Sequence, residues 1–234
     1  MNLSLNQLAR YLHLPESQTR KLVDRGAIPG RRVNGEWVFS RDEVHRWLET
    51  RIGLSDDVEL AQVEEALERS LPDGNVGEEV SISSRIPEGA IAVPFSAKTR
   101  DSVIRGMVRL GVETGLLWDA EAMHEAVKSR EELHSTALDN GVALLHPRRP
   151  MPSILGDSFI ALGIMPHGVP FGGGFANRTD VFFLICSTDD RVHLRMLARL
   201  SRILNSPGFL DALREAADAE TIRELIRKTE EKIV

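Results

Sequence analysis

Over the first fifty residues apolar positions recur at helical spacing and then switch to alternation. Leu5, Leu8, Ala9 and Leu12 fall at i, i+3, i+4 and i+7, which predicts a short helix capped by Ser4. His13-Leu14-Pro15 turns the chain. A second helix over 16–25 buries Thr19, Leu22 and Val23, leaves Ser17, Gln18, Arg20, Lys21 and Asp24 outward, and ends at Gly26. The stretch AIPGRRVNGEWVF then predicts two short strands around Asn34-Gly35, a strong hairpin signal. Ser40 and Glu43 form a capping box for a third helix burying Val44, Trp47 and Leu48. Beyond it Leu60, Val63 and Leu67 make only a narrow stripe, consistent with a solvated linker helix or with the pairing of two chains.

From residue 80 strand-like and helix-like runs alternate. Residues 80–83 and 90–93 predict strands. A helix from Ser96 or Thr99 buries Val103, Ile104, Met107 and Leu110, with Gly111 and Gly115 framing the next turn. Asp119 caps a second helix that carries Arg130 at its end. A polar turn (His134, Ser135, Thr136, Asp139, Asn140, Gly141) leads into the apolar run 142–145, a buried strand with His146 where it runs out. Further strands are expected at 158–164 and 181–187. Between them PHGVPFGGGFAN lacks the Gly-Lys-Ser/Thr ending of a P-loop, so it predicts a turn with an exposed, idle His167. Helices over 193–204, 208–216 and 221–233 complete an α/β pattern, with Arg195, Arg199 and Arg202 forming an outward, solvated strip.

Charge divides the chain into pieces. Residues 1–52 hold nine Lys/Arg and six Asp/Glu, a net +3, and residues 53–80 hold one and nine, a net -8. The remaining nineteen and twenty give -1, and the whole chain carries -6. A basic head over 1–52, an acidic linker over 53–79 and a near-neutral body over 80–234 are therefore expected. No apolar run reaches the length of a membrane span, and the polar start does not resemble a secretion signal. The single Cys186 lies in the apolar run VFFLICS, which excludes a disulfide within one chain and fits a reducing cytoplasm.

Three residues carry candidate chemistry. An open α/β sheet places its reactive groups where strands end, as His146 is placed. Arg130 offers a permanent guanidinium fork suited to phosphate oxygens. His193 sits in or just before the first turn of a helix, where the positive dipole end favours anions and a neutral imidazole. Two imidazoles and a guanidinium around one strand end suit phosphoryl transfer. No clustered His/Cys/Asp spacing calls for a metal, and no cofactor is implied.

The pattern RxxLxSTxxxNGVAxxH, followed 47 residues after its histidine by HLxxLARLxR, resembles the IIA phosphocarrier domains of the bacterial sugar phosphotransferase system, mannitol/fructose/nitrogen-regulatory type. The resemblance covers about 80–234 and implies a mixed sheet flanked by helices. It also implies that His146 accepts a phosphoryl group from an HPr-like phosphocarrier, flanked by His193 and Arg130, with Ser135, Thr136 and Asn140 in the phosphoryl loop. Leu145 stands where the family usually has proline, Pro147 follows His146, and His134 replaces the usual glycine.

Residues 1–52 resemble the winged helix-turn-helix domains of the excisionase and MerR-like group. By that resemblance Gln18, Arg20 and Lys21 face DNA bases or phosphates and Arg31 and Arg32 grip phosphate. A helical protein-interaction module with a solvated basic face is the competing expectation, and DNA affinity would call for a homodimer or a partner. The function expected is a regulator that links phosphotransferase phosphorylation to DNA binding. A carrier passing phosphate to a sugar permease and a non-catalytic interaction protein stand beside it.

Overall fold

A computed structural model describes residues 2–12, 16–33, 35–41, 43–44, 47, 81–172 and 178–233. The linker helix, the His13–Pro15 turn and most of the third helix lie outside them. The chain divides into two compact units, one mostly of residues 1–79 and one mostly of 80–234.

In the smaller unit, β1 (Asn2–Leu3), α1 (Leu5–Tyr11), α2 (Glu16–Asp24), β2 (Arg31–Val33) and β3 (Glu36–Ser40) follow in order. Ser4 and Gln7 close a reciprocal capping box on α1, which fixes its start. Leu8, Ala9, Leu12, Thr19, Val23 and Ile28 are buried with Phe39. Gly26, at φ +68°, ends α2, and Gly35, at φ +85°, turns the β2–β3 hairpin. β1, too short to show a pattern, pairs antiparallel with the outer half of β3 and makes a three-stranded sheet.

The larger unit is an α/β body. A four-stranded sheet has the order β4 (Ile91–Ala92), β6 (Phe159–Pro170), β7 (Arg178–Cys186), β5 (Val142–Leu145). β4 is parallel to β6, β6 antiparallel to β7, and β5 parallel to β7, so the sheet is mixed. Helix α3 (Arg100–Glu113) packs on β6 and β7, and α4 (Ala120–Leu133) packs on α3. Helices α5 (Asp190–Asn205), α6 (Phe209–Glu215) and α7 (Ala219–Ile233) follow. The central strands are wholly apolar in section: Phe182, Phe183, Leu184 and Ile185 are all buried, as both faces of such a sheet require.

Four expectations need correction. Residues 81–84 turn instead of forming a strand, because the buried Glu230 carboxylate accepts their Ile82 and Ser83 amides and the Ser81 and Ser83 hydroxyls. Gly111 lies inside α3 and frames no turn; a Cβ there would stand 3.1 Å from Phe159, so glycine permits close helix–sheet approach. The strand expected over 158–164 runs on to Pro170, with an irregular register between Ile164 and Val169, and carries the exposed His167 on it. The His167 and Gly168 carbonyls accept from the Arg178 guanidinium, which staples that extension to β7. Finally, Arg195 and Arg199 are buried, so the strip on α5 is no solvated face; a guanidinium is taken out of water only where other groups engage it.

Candidate functional site

Parallel strands put their carboxyl ends on one edge of a sheet. β5 and β7 are parallel, with Leu145 opposite Leu184, so the residues following both strands emerge together. His146 follows β5 directly. After β7, Ser187 to Asp189 turn the chain into α5, where Asp189 caps the helix through the Val192 amide at 2.9 Å. His193 completes the first turn of α5, its own amide already bonded to the Asp189 carbonyl. The two imidazole rings lie 5.1 Å apart at an interplanar angle of 54°. Both are buried, His146 at 3% and His193 at 1% exposure.

Each ring is oriented through its Nδ1. The His146 Nδ1 lies 2.8 Å from the Leu144 carbonyl oxygen. A carbonyl only accepts, so Nδ1 carries the proton, and in the neutral ring the lone pair sits on Nε2. The His193 Nδ1 lies 3.0 Å from the Ser187 hydroxyl, which holds that ring from the end of β7.

The Arg130 side of the site follows from strand-like pairing outside β5. Ala137 bridges Ala143 in antiparallel sense, and the Leu144 amide donates to the Thr136 carbonyl at 3.2 Å. Thr136 therefore lies beside Leu144, two residues before His146. Arg130, in the last turn of α4 and 8% exposed, donates from Nη1 to the His134 carbonyl at 2.8 Å. Its guanidinium is thereby tied to the turn that joins α4 to β5.

Glu131 is the residue that sequence reasoning missed. Buried at 2% exposure, it accepts from the Ser135 hydroxyl (2.6 Å), the Thr136 amide (2.9 Å) and the Thr136 hydroxyl (2.7 Å). A buried carboxylate is stable only with such a donor set, and here it clamps the turn that precedes β5. The Glu-x-x-x-Ser-Thr spacing was the available signal. Ser135 and Thr136 therefore belong to the His146 end through Glu131. Asn140 does not: it sits at the other end of β5, where its side chain accepts the Val142 amide at 3.3 Å. The four residues of β5, roughly 13 Å at about 3.3 Å each, lie between that turn and His146. Its asparagine shapes the turn, with Gly141 at φ +85°.

In the smaller unit, Arg20, Lys21, Arg31 and Arg32 are all exposed. Arg20 pairs with Glu16 across one turn of α2 at 3.1 Å, both side chains about half exposed, an interaction weak enough to exchange for a phosphate. Arg32 stacks 5.1 Å over Trp37 across the β2–β3 hairpin, which presents its guanidinium on a rigid base. The Gln18 side chain lies outside the described residues.

The larger unit, a mixed sheet flanked by helices, has the fold of solved IIA domains. IIA mannitol from Escherichia coli superposes with a TM-score of 0.55 at 20% identity, over 60% of this chain and 98% of its own. The nitrogen regulatory protein IIA-Ntr from Neisseria meningitidis gives 0.55 at 19%, over 62% and 98%. Residues 85–229 match the family of the phosphoenolpyruvate-dependent sugar phosphotransferase system, EIIA 2, and the chain belongs to that family. Residues 3–52 match a helix-turn-helix domain.

Two curated relatives carry the similarity in sequence. The fructose-specific EIIABC component of Bacillus subtilis (strain 168) is 27% identical over 64% of this chain and 23% of its own length. The multiphosphoryl transfer protein of Vibrio cholerae is 29% identical over 55% and 31%. The chain thus spans about a quarter to a third of the curated relatives it matches. No described helix is long and apolar enough to cross a membrane.

Proposed function

We propose that His146 accepts a phosphoryl group from a phosphohistidine donor of the HPr type, and that its phosphorylation state governs DNA binding by the amino-terminal unit. The observation that carries the first half is the His146 Nδ1–H donated to the Leu144 carbonyl, beside the His193 ring 5.1 Å away. That bond directs the lone pair on Nε2 to phosphorus without any base. A bond forms between His146 Nε2 and phosphorus as the donor's N–P bond breaks. The electron pair of that bond returns to the donor imidazole, and no proton need move. Arg130 balances charge on the non-bridging oxygens, and His193 donates a hydrogen bond to the same group. Positioning and electrostatics carry the catalysis, as is general for phosphoryl transfer.

Incubation with the isotopically phosphorylated carrier labels the wild-type protein at histidine, and His146→Ala takes up no label. Arg130→Ala slows labelling by about 100-fold, the order expected for one lost charge-stabilising donor. Absence of label in the wild type would reduce the domain to a scaffold.

The regulatory half rests on the helix-turn-helix match at 3–52 and on the basic hairpin. The unit is read as excisionase-like, with α2 entering the major groove and Arg31 and Arg32 of the wing on the backbone. A phosphoryl group adds about two negative charges close to Arg148 and Arg149, which follow His146 and are exposed. DNA affinity is expected to differ between the phosphorylated and unphosphorylated chain in a mobility-shift titration. Equal affinities would remove the switch and leave the carrier.

The curated relatives favour a second reading, since one is named as a fructose-specific component of the phosphotransferase system and the other as a multiphosphoryl transfer protein. In it His146 passes its phosphoryl group onward to a sugar permease component, the amino-terminal unit serving as an adaptor. Transfer of label from the phosphorylated chain to such a component decides between the two.

A further inference from the structure

Helix α4 carries, almost two turns before Arg130, the run Glu121-Ala122-Met123-His124-Glu125. Residues at i, i+3 and i+4 share one helix face, and a Glu-x-x-His pair is a recurrent way of setting two ligands on one metal. One ligand atom from each of Glu121, His124 and Glu125 lies within 4.8 Å of the others.

The state of His124 points to a cation. Its side chain is 3% exposed. The ring Nε2 is 3.0 Å from Asp101 Oδ1 at the start of α3, and a carboxylate accepts, so Nε2 carries the proton. Asp101 is held in turn by Arg105, whose Nε donates to Oδ2 at 2.8 Å. The neutral tautomer then leaves a bare lone pair on Nδ1. That atom is buried without a hydrogen-bond partner among the described residues, and it faces Glu125 Oε1 at 3.4 Å. A lone pair set against a carboxylate is repulsive unless a positive charge lies between them.

We propose that Glu121, His124 and Glu125 bind a divalent transition-metal ion of the zinc type, through His124 Nδ1 and one oxygen from each glutamate. Two ligands on a tetrahedral zinc at about 2.0–2.1 Å lie roughly 3.3 Å apart, close to the His124–Glu125 separation. Glu121 is exposed and free to close the remaining distance by a rotamer change. Asp101 supplies the outer carboxylate that metal-bound histidines typically hold, fixing the tautomer and ring orientation. Solvent takes the fourth position. The ion would pin the first turn of α3, through Asp101, to the helix that presents Arg130. The Glu-x-x-His-Glu spacing stands in the sequence, but a charge run on a helix reads as a solvated face until Asp101, twenty-three residues before His124, is seen to hold the ring across the α3–α4 contact.

Calorimetric titration of the metal-stripped full chain with Zn2+ near neutral pH tests this. One equivalent is expected to bind, and Glu121→Gln/Glu125→Gln, which alters only exposed carboxylates, should weaken it at least 100-fold. Asp101→Asn should weaken it about 10-fold or more. Labelling of His146 by the phosphorylated carrier should survive the double substitution, so the two readings fail separately. No stoichiometric uptake would overturn the proposal. So would uptake that the double variant retains and His146→Ala abolishes, since that ion would sit on the paired imidazoles. A proton shared by His124 and Glu125 would explain the short contact without metal, and it would show as uptake absent in the wild type.

Discussion

At the scale of single residues, the site depends on groups that orient other groups. Glu131→Ala leaves the Thr136 amide and two hydroxyls without their buried acceptor, so a stability loss of about 3 kcal/mol is expected in denaturant unfolding. Glu131→Gln keeps part of the network and should recover part of that loss, with labelling of His146 slowed in both. Arg130→Lys keeps the charge but gives up the planar fork that bonds the His134 carbonyl. It is expected to accept phosphate more slowly than wild type with little change in melting temperature. The places of His146, His193 and Arg130 in their elements were legible from the sequence: a strand end, a helix start and a last helical turn. Glu131 and Ser187 were not, since a charged residue on a helix and a serine after a strand look like solvated surface until their partners are known. Asn140, which the family resemblance sets in the phosphoryl loop, shapes the turn at the start of β5, with the strand between it and His146.

At the scale of elements, local rules account for most boundaries. Asp119 and Asp189 cap α4 and α5, and Thr99 and Ser102 close a capping box on α3. Thr99→Ala is therefore expected to cost about 1 kcal/mol by thermal unfolding. Helix α7 carries an exposed network in which hydrogen bonds from Arg227 and Lys228 hold the Glu224 carboxyl down to about 2 from an ordinary 4.5. Its folded value lies below its unfolded value, so the stabilisation is present above about pH 4.5 and is lost as pH falls towards 2. Wild type should melt above Glu224→Gln at neutral pH, with the difference shrinking between pH 5 and 3. A difference that stays constant with pH would show that the ionisation of Glu224 adds nothing to stability. What local pattern misread were segments governed by distant partners: residues 81–84, whose amides serve Glu230, and the far half of β6, stapled by Arg178.

At the scale of the whole molecule, two compact units suggest two melting events. A fifty-residue unit buries a smaller share of its surface than a body three times as long, and it is expected to unfold first. Trp37, in the smaller unit, should report the earlier transition by fluorescence, and calorimetry should resolve a second, larger one. A single coincident transition would refute independent unfolding.

The sequence by itself determined the order of elements, the division of charge, the α/β class and the positions where an imidazole or guanidinium could act, because capping, periodicity and turn chemistry are local. Only the tertiary structure decided that β5 and β7 run parallel and adjacent, bringing His146 and His193 ring to ring across 47 residues of chain. It also decided that Glu131 and Asp101 are structural anchors. Pairing between distant strands and helices selects which local groups meet, and no periodicity within one segment encodes that choice.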